Sequence, residues 1–331
     1  MRSDKARWRA LLAMLAAVVL VFGVAACGDD DDGDTTSSGG GGDTAGQTIQ
    51  SNPANGKVTL TVGSKNFTEQ IVLGEIYAQA LEAAGYKVEK KLNLGSELIA
   101  KAALEEGQIT GYPEYVSTAL TSFFGVEPGQ VPGNPQQGAD QAKADFEKEG
   151  LTSFAPTPFA SANAVGTLKE TADKLGLSTV SDLKGKSQDL TLYGSPECRQ
   201  RVDCLVGLEG PYGLKFKKFV PVDIELRYTV LDKGQADLSI LFTTDAQLAA
   251  EADKYVILED DKHVFPAGNV VFVTDQATVK KAGPDYQKTI EMVQSGLTEQ
   301  VMQELDARVD IDKETPEKVA GDYLTESGYV K

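Results

Sequence analysis

Apolar residues follow three regimes along this chain. From Leu11 to Ala26 they run almost unbroken for about 16 positions, short of the roughly 20 that a membrane-spanning helix needs. From Gly28 to Gly56 they nearly vanish among Gly, Asp, Ser and Thr. From Lys57 onward they fall at strand and helix spacing. Val58-Thr59-Leu60-Thr61-Val62 alternates and predicts a strand. Asn66 with Glu69 three residues later reads as a capping box. Leu73, Ile76, Tyr77, Ala80, Leu81 and Ala84 then keep helical spacing until Gly85 stops them. Val88 to Leu92 predicts a second strand. Ser96 caps a helix over Glu97 to Glu106, Gly107 ends it, and Ile109 to Tyr112 predicts a third strand. Strand and helix in alternation predict an α/β body, a mostly parallel sheet with helices on both faces.

The pattern returns further on. Ile224 to Lys233 reads as a helix, Gly234 ends it, and Ala236 to Phe242 reads as a strand. "EEGQITGYPEY" and "DKGQADLSILF" share a helix end, a Gly-Gln pair and a strand with an aromatic finish. The body from Lys57 to Lys331 exceeds the usual span of a single core, so two lobes of like construction are expected. Ligands bind beyond the carboxyl ends of the strands in such sheets. The site is therefore expected in a cleft between lobes.

The N-terminal third of the pattern is about location. Arg2, Lys5, Arg7 and Arg9 precede the apolar run, and Val24-Ala25-Ala26 closes it with small residues, which describes an export signal over 1–26. Cys27 directly after them resembles the lipidated cysteine of bacterial lipoproteins. Residues 27–56 would then be the lipidated cysteine and a disordered tether too poor in apolar surface to fold. The expected location is the extracytoplasmic face of the cell membrane. The net charge of −17 argues against nucleic acid as a partner, because phosphate contacts need clustered Lys and Arg.

Catalytic readings find little material. His263 is the single histidine, so neither a His-rich metal site nor a Ser-His-Asp arrangement has its parts. No phosphate-cradling Gly-Lys-Ser/Thr loop is present. No enzymatic activity, cofactor or metal is expected. Cys198 and Cys204 in "ECRQRVDC" are expected to be bridged in an oxidising compartment. The bridge would either staple a surface turn or hold Arg199 and Arg201 on a stiff loop.

"VGSKNFTEQIVLGEIYAQALEAAGYKVEKKLNLGS", "GYPEYVSTAL", "PTPF", "YGLKF" and "LEDDKHVFP" resemble the substrate-binding lipoproteins of osmoprotectant ABC importers. That family binds glycine betaine, carnitine, choline and related quaternary amines. The resemblance implies a type II-like, two-lobed periplasmic-binding-protein fold with two hinge crossovers near Pro156 to Ser161 and Asp260 to Pro266. Lobe one would take 57–158 with 263–331, and lobe two 159–262. It also implies a partner, the importer's permease subunits.

A quaternary ammonium donates no hydrogen bond and is held by aromatic faces, whereas a carboxylate wants charged donors. The resemblance places Lys65 and Arg201 at the carboxylate with Thr118 donating, and Tyr115 and Phe242 as cage walls. Asn66, Tyr112, Ser161, Asn163 and Asn269 complete the implied site. Two departures stand out. Ala160-Ser161-Ala162-Asn163 and Ala267-Gly268-Asn269 occupy stretches where the family carries cage tyrosines, so a more polar pocket is expected. The reading is a binding protein for a small zwitterionic solute, with an amino-acid or other polar-solute receptor, a sensing lipoprotein or an exported enzyme as alternatives.

Overall fold

Six strands converge from two separate sheets on one cleft, and the order of elements explains how. The computed structural model describes residues 48–331. The export signal, Cys27 and the tether up to residue 47 lie outside the described residues. The end of the expected tether does not. The backbone N–H of Ile49 donates to Tyr329 O at 2.8 Å, and that of Asn52 donates to Ala84 O at 3.1 Å. Buried Asn55 donates from Nδ2 to Ala84 O at 2.9 Å and to Asp285 Oδ2 at 3.2 Å. Residues 48–56 thus belong to the folded body, and the expected start at Lys57 is corrected. The apolar count misses them because backbone and Asn side-chain hydrogen bonds fasten this segment, with Ile49 its one buried apolar residue.

The first half opens with β1 (Thr59–Gly63), α1 (Thr68–Ala83), β2 (Lys87–Lys91), α2 (Glu97–Glu105) and β3 (Gly111–Tyr115), then α3 (Pro135–Lys148), β4 (Leu151–Ser153) and β5 (Ala160–Ser161). The second half holds β6 (Asn163–Leu168), α4 (Lys169–Leu175), β7 (Thr191–Gly194), α5 (Leu205–Glu209), β8 (Lys218–Pro221), α6 (Arg227–Asp232), β9 (Leu238–Phe242), α7 (Ala246–Ala250) and β10 (Tyr255–Ile257). The chain then returns to the first sheet through β11 (Gly268–Asp275) and finishes with α8 (Gln276–Ala282), α9 (Pro284–Gln294), α10 (Glu299–Asp310) and α11 (Pro316–Glu326). Among the described residues no helix is long and apolar enough to cross a membrane.

The two sheets have the same plan. The first runs β2-β1-β3-β11-β4 and the second β8-β7-β9-β6-β10. In each, three parallel strands abut an antiparallel one contributed by the crossing chain, followed by an edge strand. The sequence echo marks matching positions in this plan. Gly107 and Gly234 both end a helix with left-handed backbone, φ 68° and 62°, which glycine adopts without steric cost. Thr110 Oγ1 accepts the Thr61 backbone N–H at 2.8 Å, and Asp237 Oδ2 accepts that of Thr191 at 2.7 Å. Tyr115 and Phe242 close the two matching strands.

The crossing points differ from expectation by a few residues. β5 pairs with β11, so Ala160 and Ser161 sit on the first sheet. Val264 and Phe265 pack with Val180, Leu192 and Leu258 in the second half's core, so 263–265 belong there. Helix α1 keeps all six expected apolar positions buried. Its entry is different: Phe67, not Asn66, is the N-cap residue and no side chain caps the helix. Glu69 turns inward to accept the Tyr115 hydroxyl rather than closing a capping box.

Beneath the first sheet Phe272 meets Tyr77 edge-on at 5.1 Å and Phe154 face-on at 6.0 Å. Gly111 on β3 backs directly onto this cluster. A Cβ there would lie 2.6 Å from Phe272 Cζ and 2.9 Å from Val273 O. Both neighbours are buried and locked by the ladder, so the crowding cannot relax. Gly111→Ala is expected to destabilise the body by about 1–3 kcal/mol, as overpacking does, read as a lower denaturant midpoint.

Candidate functional site

Every parallel strand delivers residues to the cleft from its carboxyl end, where the ladder stops and side chains converge. After β1 come Lys65, Asn66 and Phe67; after β2, Ser96 and Glu97; after β3, Thr118. From the second half come Ser195, Cys198 and Arg201 after β7, Ile224 and Arg227 after β8, and Phe242 closing β9. The crossover adds Ser161 and Asn163. The cleft and its open mouth together span about 840 Å³, solvent included.

Three cations shape the walls, Lys65 and Arg227 buried and Arg201 partly so, and each is already mated. Lys65 Nζ forms an ion pair with Glu114, which is fully buried behind it, and lies 4.5 Å from the Tyr115 ring centroid. Arg227 donates Nε to Asp245 Oδ2 at 3.0 Å and Nη1 to Ile224 O at 2.7 Å, with its guanidinium 4.9 Å from the Phe242 centroid. Arg201 donates Nε to Asp203 Oδ1 at 2.8 Å and pairs Nη2 with Oδ2. From the same fork Nη2 reaches Thr118 Oγ1 at 3.4 Å, and Nη1 lies 3.6 Å from Glu97 Oε2. Arg201 therefore touches both halves of the molecule. Burial works against its charge, but Asp203 and Glu97 outweigh it and hold the pKa raised.

Aromatic rings meet where the halves face each other. Phe67 lies 6.2 Å from Tyr115 and 5.1 Å from Phe242, centroid to centroid. Phe67 is a third ring that the sequence reading did not single out. It sits inside the Ser-Lys-Asn-Phe segment, but only its position one residue before α1 turns it into the cleft. Arg227, Glu97 and Asp203 were missed as well. For Asp203 a signal existed, an acid two residues past Arg201 within the Cys198–Cys204 loop.

That loop is closed. Cys198 and Cys204 are bridged, with Cα atoms 5.2 Å apart. The ring they make points Arg201 and Asp203 inward, while Arg199 turns outward to lie 5.0 Å from the Phe219 ring centroid. Of the residues expected at the site, Lys65, Asn66, Tyr115, Thr118, Ser161, Asn163, Arg201 and Phe242 line the cleft. Two do not. Tyr112 is fully buried and its hydroxyl donates to Glu114 Oε2 at 3.1 Å, since residues 112 and 114 of β3 share the face opposite to that of Tyr115. Asn269 donates from Nδ2 to Thr157 O at 2.9 Å and Phe159 O at 3.0 Å, bracing the crossover instead.

A two-sheet body whose parallel strand ends converge on a cleft of aromatic rings and mated charges has the build of a solute-binding protein. The family model of the substrate binding domain of ABC-type glycine betaine transport systems matches residues 58–326, and the chain belongs to that family. The glycine-betaine-binding protein of Pseudomonas aeruginosa is 33% identical over 279 residues, covering 81% of this chain and 88% of that protein. The ergothioneine transport permease/ergothioneine binding protein of Helicobacter pylori is 30% identical over 271 residues, 81% of this chain and 48% of that longer protein. A crystal structure of a glycine betaine/carnitine/choline ABC transporter superposes with a TM-score of 0.63 at 27% identity, covering 82% of this chain and 99% of that one.

Behind the rings lies a second set of buried acids. Glu69 accepts from Tyr115 on one oxygen, while its Oε2 and Asp306 Oδ1 meet no donor. Burial raises the Glu69 pKa against the hydrogen bond from Tyr115, and the charge of Asp245 adds to the rise. Burial, then the charge of Glu69, raises Asp306 well above the carboxylate range. One proton shared by the two acids is the expected state, since it would give the orphan oxygens a donor. The folded state therefore binds more protons than the unfolded chain, so this pair's contribution is complete in acid and is lost as pH rises past the ordinary carboxylate range. Asp306→Asn is expected to gain melting temperature over the native protein as pH rises from 4 to 8. A native-minus-variant difference that stays flat across that range would refute the shared proton.

Proposed function

We propose that this protein captures a small quaternary-ammonium solute, glycine betaine or a relative, for an ABC importer. The observation that carries the reading is the meeting of Phe67, Tyr115 and Phe242 in a cleft rich in carboxylates. A trimethylammonium has no proton to donate, so rings and surrounding negative charge are what can hold it. Lys65 lies over the Tyr115 ring and Arg227 over the Phe242 ring, and Phe67 packs against both rings. Thr118, Ser161, Asn66 and Asn163 offer hydrogen bonds to its polar end. The matching names of relatives, one for glycine betaine and one for an ergothioneine permease, support delivery to membrane subunits. Capture proceeds by closure of the two halves about the crossings near Ala162 and Pro266, followed by docking on the permease.

Isothermal titration of the full-length chain in detergent checks the ligand class. Saturable binding is expected for glycine betaine or choline and none for glycine. Phe67→Ala should weaken the bound amine roughly two- to thirtyfold, the worth of one ring. Binding of polar amino acids with no response to either quaternary amine would sink the proposal.

The anchor completes the proposal: Cys27 carries the lipid and holds the protein at the outer face of the membrane. Cys27→Ser is expected to move the protein from the membrane fraction to the soluble one. Continued sedimentation with membranes would contradict the anchor.

A further inference from the structure

Glu69 is a buried acid that the capture of a solute does not yet use. It lies in the first turn of α1, 4% exposed, and it does not line the cleft. A carboxyl taken out of water is unfavourable unless it is paired. Yet the charged groups nearest to it are two further acids, Asp245 and Asp306, and its Oε2 meets no donor. An apolar residue would suit the packing better. What Glu69 does hold is the hydroxyl of Tyr115, which donates to its Oε1. A buried polar group that opposes stability is expected where function requires it.

Tyr115 lines the cleft and is held at two ends. Its backbone N–H donates to Glu114 Oε1 at 2.7 Å, which fixes the main chain but leaves the side-chain torsions free. Phe67 lies nearly parallel to the ring, 16° between planes at 6.2 Å. Glu69 fixes the far end of the ring through the hydroxyl. Phe67 and Phe242 line the same cleft without a hydroxyl, so aromatic surface alone does not call for a tyrosine here. Cation–π attraction acts over the face of a ring. The tilt of the ring therefore matters as much as its presence.

We infer that Glu69 is a positioning residue: by taking the Tyr115 hydroxyl from behind the cleft wall, it sets the plane of the ring that meets a quaternary ammonium. This rests on the quaternary-ammonium reading and adds to it a residue that does not touch the ligand. Glu69 acts through geometry rather than charge. Glutamine at this position keeps an oxygen for the hydroxyl and offers an N–H toward the orphan Oδ1 of Asp306, so it serves as a neutral copy.

The test is a double-mutant cycle read as affinity for glycine betaine and choline, by titration calorimetry on the full-length protein in detergent. Tyr115→Phe keeps the ring and removes the hydroxyl, and Glu69→Leu removes the acceptor. Each is expected to weaken binding by about threefold or more, a part of the worth of one ring. The double variant should be no weaker than either single one, since both break the same contact. Glu69→Gln should restore most of what Glu69→Leu loses. If Glu69→Leu does not fold, Tyr115→Phe and Glu69→Gln decide the matter. The inference is overturned if Tyr115→Phe binds as the native protein does, or if the two losses add. It is equally overturned if Glu69→Gln binds as weakly as Glu69→Leu or weaker than Tyr115→Phe, which would make the charge and not the position the cause. Each of these results leaves the quaternary-ammonium reading standing. Failure of the native protein to bind either amine overturns both.

Discussion

A charge removed from water must be paired, and that constraint organises the cleft. Lys65, Arg201 and Arg227 are drawn in among aromatic rings, where an isolated charge would cost several kcal/mol. Each is answered by an acid: Glu114, Asp203 or Asp245. The pairs fix the side chains that a ligand meets. Lys65 is held against Tyr115 because Glu114 lies one residue before that ring on β3, and Arg227 is held against Phe242 because Asp245 anchors it from three residues past β9. The rings keep their positions because the charges beneath them are satisfied.

Repetition supplies the rest of the geometry. Two sheets with the same strand plan point their parallel carboxyl ends at one another, so a single local recipe is used twice. Tyr115 and Phe242 are the same position in two copies of that recipe, and Phe67, set by the loop before α1, fills the gap between them. The halves meet through hydrogen bonds, Arg201 to Thr118 and buried Ser161 to Thr244, and through the rings of Phe67 and Phe242. Asn163 stands in the cleft, whereas the amide of Asn269 is spent on the carbonyls of Thr157 and Phe159.

Periodicity and punctuation were enough to determine the strands and helices of the first unit, its echo in the second and the cleft at the strand ends. Those features depend on neighbours within a few residues, and α1 shows it, with each of its spaced apolar positions buried. Cap and crossover positions were read to within a few residues, since Asn66 and Phe67 compete for one cap and only packing decides between them. The candidate site was legible as a list of residues but not as a circuit. Nothing local says that Lys65 will meet Glu114, that Tyr112 faces away from the cleft, or that Phe67 will lie against Phe242. These are contacts between segments far apart in the chain. Burial turns them into requirements only once the tertiary fold has brought the charges out of water together.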